Sequence, residues 1–295
     1  MTYEELISYY KKNDKLIYLS ILTLKKMNGS APEKYAEEIL RFIEHRKIYS
    51  PLELYSRRVK TLGELQNNFE KEKVFRQSSY NEIQPVDDEL YKLSLLISFI
   101  VTNHRFKILK QLDEFLESPP KDNIKLLIIG FGTGYEVKLA IDRSKKSLIT
   151  AYDNSEASFV YAKDLLRFFS CPLDSLRFDT FLLEDDMGMK EFEEIYDKII
   201  MCEVMEHLEK PESALKNLKR ALKKGGKLFV TMAVNIAQED HVYLYSSHEQ
   251  AKHQVLEAGF QIEKETFTPV VVLPFEEKDR FWVSNKGNYI CTAVK

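Results

Sequence analysis

Two groups of residues carry the types and spacings that chemistry needs. The first is Gly130-Phe131-Gly132-Thr133-Gly134, which directly follows the apolar run Leu126 to Ile129. Alternate glycines at the end of a buried strand let backbone approach a ligand closely. They also aim the N–H groups of a following helix into the crevice at the strand ends. Asp153 closes the next apolar run, where a carboxylate can accept both hydroxyls of a ribose. The nicotinamide fingerprint G-x-G-x-x-G is broken by Tyr135, and no Gly-Lys-Ser/Thr follows, so neither a dinucleotide motif nor a Walker loop is present. The second group is Glu203, Glu206 and His207. At i, i+3 and i+4 they share one face if the segment is helical. A neutral imidazole near pH 7 suits removal of a proton from a hydroxyl or ammonium group. The plainer reading is that Glu206 and His207 open a helix, where a carboxylate gains about 0.3 to 1 kcal/mol from the macrodipole.

These residues need a scaffold, and the sequence divides into two textures. Only Gly29 and Gly63 precede residue 130. Up to about residue 118 apolar residues recur at three- and four-residue steps, as in Leu6, Tyr9, Tyr10 and Leu16, Ile17, Leu19, Leu22, Leu24. Further helices are expected after Ala31-Pro32, after Ser50-Pro51, and as one long helix from Asp87-Asp88 to Leu116, stopped by Ser118-Pro119-Pro120. His104-Arg105 interrupts that last apolar helix; it reads first as a polar patch on the helix surface, and otherwise as a pair that reaches into the active site if the helix packs over it. From Lys125 onward short apolar runs alternate with helical patterns. Strands are expected at Leu126 to Ile129, Leu148 to Tyr152, Leu176 to Leu183, Lys198 to Cys202 and Leu228 to Val234, with a late pair at Gln261 to Phe267 and Tyr289 to Val294. The stretch Phe267 to Lys286 between that pair reads as a substrate-facing insertion. Such alternation means an α/β fold with a mostly parallel sheet covered on both faces. The expected organisation is an all-α N-terminal domain, residues 1–121, serving as lid or dimer interface, and an α/β domain, residues 122–295.

From residue 122 to the end, the sequence resembles the class I S-adenosylmethionine (SAM)-dependent methyltransferases. Gly130-Phe131-Gly132-Thr133-Gly134 is similar to the family's first motif, and Ala151-Tyr152-Asp153-Asn154 to its ribose-binding strand end. Glu184-Asp185-Asp186-Met187 stands where the family places an acid against adenine. The run Tyr196 to Leu208 resembles the fourth strand and its loop, and Leu222 to Val230 the turn into the fifth. The resemblance implies a seven-stranded sheet, SAM as cofactor, and cofactor contacts from Gly130, Phe131, Gly132, Thr133, Gly134, Asp153, Asn154, Asp185, Asp186, Met187 and Cys202. It implies His207 and Glu203 as the groups facing the methyl acceptor. One departure is Ile128, where the family commonly has an acid. The segment Glu203-Val-Met-Glu206-His207-Leu208 also resembles that of small-molecule O-methyltransferases and of small-RNA 2'-O-methyltransferases, the latter holding a divalent metal on two Glu and two His. On that pattern Glu203, Glu206, His207 and His241 would be the ligands.

Composition narrows the partners. The chain has 295 residues, 43 Lys and Arg against 46 Asp and Glu, and a formal net charge of -3. With no global positive field, a small-molecule acceptor of methyl at oxygen or nitrogen is expected before an RNA 3' end. A third reading is a SAM- or partner-binding protein without turnover. Cys171, Cys202 and Cys291 form no C-x-x-C pair, as in a reducing cytoplasm. The apolar stretch Leu93 to Thr102 is half of the ~20 residues a membrane span needs, so no membrane partner is expected. A homodimer through the N-terminal helices is compatible with the pattern.

Overall fold

The structure, a computed structural model, describes residues 1–72, 88–178, 183–184, 192–272 and 282–295. Among the described residues six helices come first: α1 (Tyr3–Asn13), α2 (Lys15–Asn28), α3 (Ala31–His45), α4 (Pro51–Glu72), α5 (Asp88–Val101) and α6 (Asn103–Glu117). The remainder alternates as β1 (Lys125–Ile129), α7 (Tyr135–Arg143), β2 (Leu148–Asp153), α8 (Glu156–Phe168), β3 (Leu176–Phe178), β4 (Tyr196–Met201), a 3-10 turn (Met205–His207), α9 (Pro211–Ala221), β5 (Leu222–Val234), α10 (His248–Glu257), β6 (Gln261–Val272) and β7 (Trp282–Val294). The seven strands form one sheet in the order β3-β2-β1-β4-β5-β7-β6. Pairing is parallel from β3 to β5, and β7 runs antiparallel between β5 and β6. This is the α/β architecture expected from the alternation.

Local chemistry sets the helix ends. Thr2 and Glu5 form a reciprocal capping box on α1, satisfying two of the backbone donors that a helix start leaves open. Asp14 breaks what reads as one helix in the sequence. Its N–H closes α1 on the Tyr10 carbonyl, and its side chain accepts from Ile17 N to open α2. The long helix expected from Asp88 to Leu116 is likewise two. Thr102 is extended (φ -123, ψ 139), and its hydroxyl donates to the Ser98 carbonyl at 2.9 Å. Buried Asn103 accepts from Asn28 at 2.8 Å on the other side of the break. The C-terminal end of α6 is held from the sheet: fully buried Lys198 on β4 donates to the carbonyls of Phe115 (2.8 Å) and Ser118 (2.6 Å). A cation there complements the helix dipole.

The core lies on both faces of the sheet. Leu126 and Ile128 of β1 join one cluster and Leu127 and Ile129 the other, as the two-residue period of a strand requires. The first cluster runs without interruption from Leu6, Ile39 and Phe42 of the N-terminal helices through Leu109 and Leu112 of α6 to Ala151, Phe229 and Ile290 of the sheet. Helices and sheet therefore share one apolar interior on that side. α4 adds a polar clamp. Arg58, 6% exposed, donates to both carboxylate oxygens of Glu239 at 3.0 and 2.7 Å. The Gln66 amide donates to Asn235 O at 3.1 Å and accepts from Ala237 N at 2.9 Å. Lys286 of β7 pairs with Glu70 at 2.6 Å.

The late strands are longer than the sequence pattern suggested. β6 reaches Val272 and β7 starts at Trp282, so much of the stretch read as an insertion is hairpin. Among the described residues no helix is long and apolar enough to cross a membrane.

Candidate active site

A cavity of about 490 Å3 lies at the C-terminal ends of the parallel strands, lined by the glycine turn, the ends of β2 and β4, the loop after β5, and helix α5. Its volume falls within the roughly 300 to 1,000 Å3 of small-molecule sites.

At the glycine end the wall is backbone. Gly130, Gly132 and Gly134 all have positive φ (69, 49 and 82), a region that costs other residues about 1 to 2 kcal/mol. The three do different work. A side chain on Gly130 would strike Val204 at 2.3 Å, and one on Gly134 would strike Ala162 of α8 at 2.7 Å, whereas one on Gly132 would meet nothing within 4 Å. Gly132 thus leaves room on the cavity wall, and Gly134, which does not line the cavity, lets α7 approach α8. The Asp153 carboxylate accepts from Gly132 N and Ser155 N, each at 2.9 Å, so the acid both braces the turn and faces the cavity. Phe131, Thr133, Asn154 and Cys202 also line it, and burial raises the Cys202 thiol well above its ordinary range. Glu184 lines it too and accepts from Lys210 N. Asp185, Asp186 and Met187 lie outside the described residues.

Ile128 is core, 1% exposed. A further carboxyl, Glu136 in the first turn of α7, lines the cavity, and burial raises it above the usual carboxylate range.

At the other end the wall is side chain. Glu203, Glu206 and His207 do not share an α-helical face: Glu203 is left-handed (φ 54), and only Met205–His207 makes a single 3-10 turn before α9 begins at Pro211. Glu203 accepts from Arg105 at 2.6 Å, from Asn288 at 2.6 Å and from the Thr231 hydroxyl at 2.7 Å. Arg105, which the sequence pattern put on a helix surface, instead enters the cavity because the break at Thr102 turns α6 toward it.

Glu206, His207 and His241 form a separate cluster, their ligand-capable atoms all within 4.8 Å of one another. The Glu206 carbonyl accepts from Val242 N and Tyr243 N at 2.9 Å, stitching this turn to the loop that carries His241. A backbone carbonyl can only accept, so His207 Nδ1 donates to Asp240 O at 2.8 Å and His241 Nδ1 to Ile236 O at 3.0 Å. In the neutral rings this leaves Nε2 as the free lone pair. Burial, with Glu203 nearby, pushes the Glu206 carboxyl up to about 8. Burial and the neighbouring His207 take His241 down to about 4. Burial also pulls His207 down, but Asp240 and Glu206 more than offset it, and the ring sits above the ordinary histidine value. One oxygen of Glu206, Oε2, is buried with no hydrogen-bond partner among the described residues.

Helix α5 closes this side of the crevice with Asp88, Tyr91, Lys92, Leu95 and Phe99. Burial, with the Asp240 carboxylate nearby, raises the Tyr91 phenol well above its ordinary range, and Lys92 donates to Ser158 at 2.6 Å. Sequence reasoning missed both, together with Glu136, Thr231 and Asn288. A signal was present for Lys92, a lone charge on the apolar run of α5.

A family model described as a methyltransferase domain matches residues 101–265, more than half of the chain. The chain belongs to this family. Its sheet order and glycine turn are those of the class I SAM-dependent methyltransferases, and membership implies S-adenosylmethionine as cofactor. The residues present suit that group: Gly132 leaves an open cradle, with the Asp153 carboxylate beside it. Among solved structures, a protein in complex with the Haloferax volcanii Trm112 methyltransferase activator aligns over 72% of this chain and 98% of its own (15% identity, TM-score 0.52). A methyltransferase-like protein from Bacillus halodurans C-125 aligns over 63% and 98% (17%, 0.50). The [4+2]-cyclase SpnF aligns over 66% and 82% (16%, 0.50). These likenesses concern the fold, and the last one shows that the fold hosts more than one reaction. No curated protein matches the sequence.

Proposed function

We propose that the protein transfers a methyl group from SAM to an oxygen or nitrogen of a small molecule. The observation that supports this best is a single cavity running from the Gly132–Asp153 turn to His207, with α5 along its side. Such partial enclosure suits a small acceptor, as does the net charge of -3. Gly130, Phe131, Gly132 and Thr133 with Asp153 and Asn154 would hold the cofactor, and Glu136 would supply the carboxyl that Ile128 does not. When bound, SAM supplies an electrophilic methyl on a sulfonium. His207 Nε2, kept as the free lone pair by the Asp240 carbonyl, accepts the proton of the incoming hydroxyl or ammonium. Arg105 and Asn288 hold Glu203 in place nearby, its charge balanced by the guanidinium. Most of the rate would come from positioning and exclusion of water.

Calorimetric titration with SAM and S-adenosylhomocysteine, followed by methyl transfer to a panel of hydroxyl and amine compounds, tests the reading. Saturable binding and a product whose formation falls 100-fold or more in His207→Ala is the expected result. Failure of the wild type to bind either compound overturns it.

A second reading has its own observation. Two imidazoles with Nδ1 committed to carbonyls, converging with a carboxylate that has an unpartnered buried oxygen, is the arrangement that divalent-metal sites use. Glu206, His207 and His241 would be ligands in that case. Glu203, the fourth residue expected, is taken by Arg105 and Asn288. Metal analysis of purified protein, with the visible spectrum after cobalt addition, decides between the readings: stoichiometric metal lost in His241→Ala supports the site.

A further inference from the structure

A second cavity, about 300 Å3, lies between α2, α4, the α5–α6 break, the loop after β5 and the β6–β7 hairpin. Its walls are mostly apolar, with Ile17, Val59, Leu62, Val101, Ile236 and Val270. Several of the polar groups along it are already engaged: Ser20 donates to Val101 O at 2.8 Å, the Thr102 hydroxyl donates to Ser98 O, Gln66 is used on both sides by the 235–237 backbone, and Lys286 pairs with Glu70; Tyr55, His104 and Gln238 also line it. Burial and the nearby Arg105 push the His104 imidazole down to about 3, so that ring is uncharged at neutral pH; the other ring there is Tyr55.

The cavity adjoins the active site. Gln238 lines both. The loop that begins at Ile236 in the second cavity ends at His241 in the first, and the chain that gives Val101 and His104 to the second gives Phe99 and Arg105 to the first. An acceptor whose reactive atom sits at His207 therefore has an apolar space within reach.

We propose that this second cavity receives an uncharged apolar group, alkyl or aryl, of the methyl acceptor, so that the acceptor is an amphipathic molecule with its hydroxyl or amine at one end. This rests on the methyltransferase reading for the placement of the reactive end. Gly63 gives a clean way to block the cavity. It lies at the rim within α4, and a side chain there would meet nothing within 4 Å.

The test is calorimetric titration of the full chain, with and without S-adenosylhomocysteine, using 4-ethyl-, 4-butyl- and 4-hexylphenol. Affinity should rise about threefold to fourfold per methylene in the wild type. Gly63→Leu should flatten that rise while leaving S-adenosylhomocysteine affinity within about twofold, with Val59→Trp as an independent block. A flat series in the wild type, or the same rise in both blocked variants, overturns the proposal. If S-adenosylhomocysteine itself does not bind, the cofactor reading falls, and the phenol series without it still decides the cavity.

Discussion

The two ends of the active-site cavity are built in different ways. The glycine end is made largely of backbone close in sequence: Gly132 N meets the Asp153 carboxylate across 21 residues, between the turn after β1 and the end of β2. The acceptor end is made of side chains gathered from afar. Glu203 meets Arg105 across 98 residues and Asn288 across 85, while His207 and His241 converge from loops 33 residues apart or more. The first can be read from a short stretch because its geometry follows from allowed dihedrals. The second exists only once α5, α6 and β7 have packed.

If that contrast holds, the largest stability loss should come from the acceptor end. Arg105 and Glu203 are 14% and 16% exposed, and removing one partner of such a pair costs about 3 to 5 kcal/mol. Arg105→Met should lower the denaturation midpoint accordingly, and Arg105→Met with Glu203→Gln should recover more than half. Additive losses measured by urea titration would mean that the pair is not a unit. Next, Asp153→Ala should weaken SAM at least 100-fold, about 2.7 kcal/mol, with a smaller loss of stability because the turn keeps its glycines. Equal losses of both would show that the acid is chiefly a brace.

A third prediction concerns pH. His104 is held down to about 3 in the fold, against about 6.5 unfolded. Between these values the unfolded chain takes up a proton that the folded one does not, so stability is full above pH 6.5 and falls as pH drops toward 3. His104→Gln should flatten the stability curve between pH 7 and 4 by roughly 3 kcal/mol. Identical curves for the two proteins would place this imidazole in water. The smallest effect is Gly132→Ala. Its positive φ should cost about 1 kcal/mol of stability; on the proposed cofactor placement the open space beyond it is filled by SAM, so SAM affinity should fall by more than stability does.

The same contrast explains what was legible. The sheet, its strands and the glycine turn follow from apolar runs of fixed period and from φ constraints, and all are local. The helix breaks at Asp14 and Thr102 were hidden because the apolar spacing resumes in phase after each short polar stretch; at the first the Asp14 carboxylate accepts from Ile17 N, and at the second the Thr102 hydroxyl donates to the Ser98 carbonyl. Arg105 looked like a surface residue because nothing in its own helix tells which way the break turns it. Glu203 looked like a free carboxylate for the converse reason: its partners Asn288 and Arg105 belong to elements far along the chain.

The amide of Gln66 donates to one backbone group of the loop after β5 and accepts from another two residues on, much as a neighbouring strand would. Arg58, one helical stretch earlier, depends on that loop for its counter-ion. The helical cap and the loop bearing His241 are thus mechanically one piece. A chain given a different loop but the same α4 would strand a buried guanidinium, so the two can be redesigned only together.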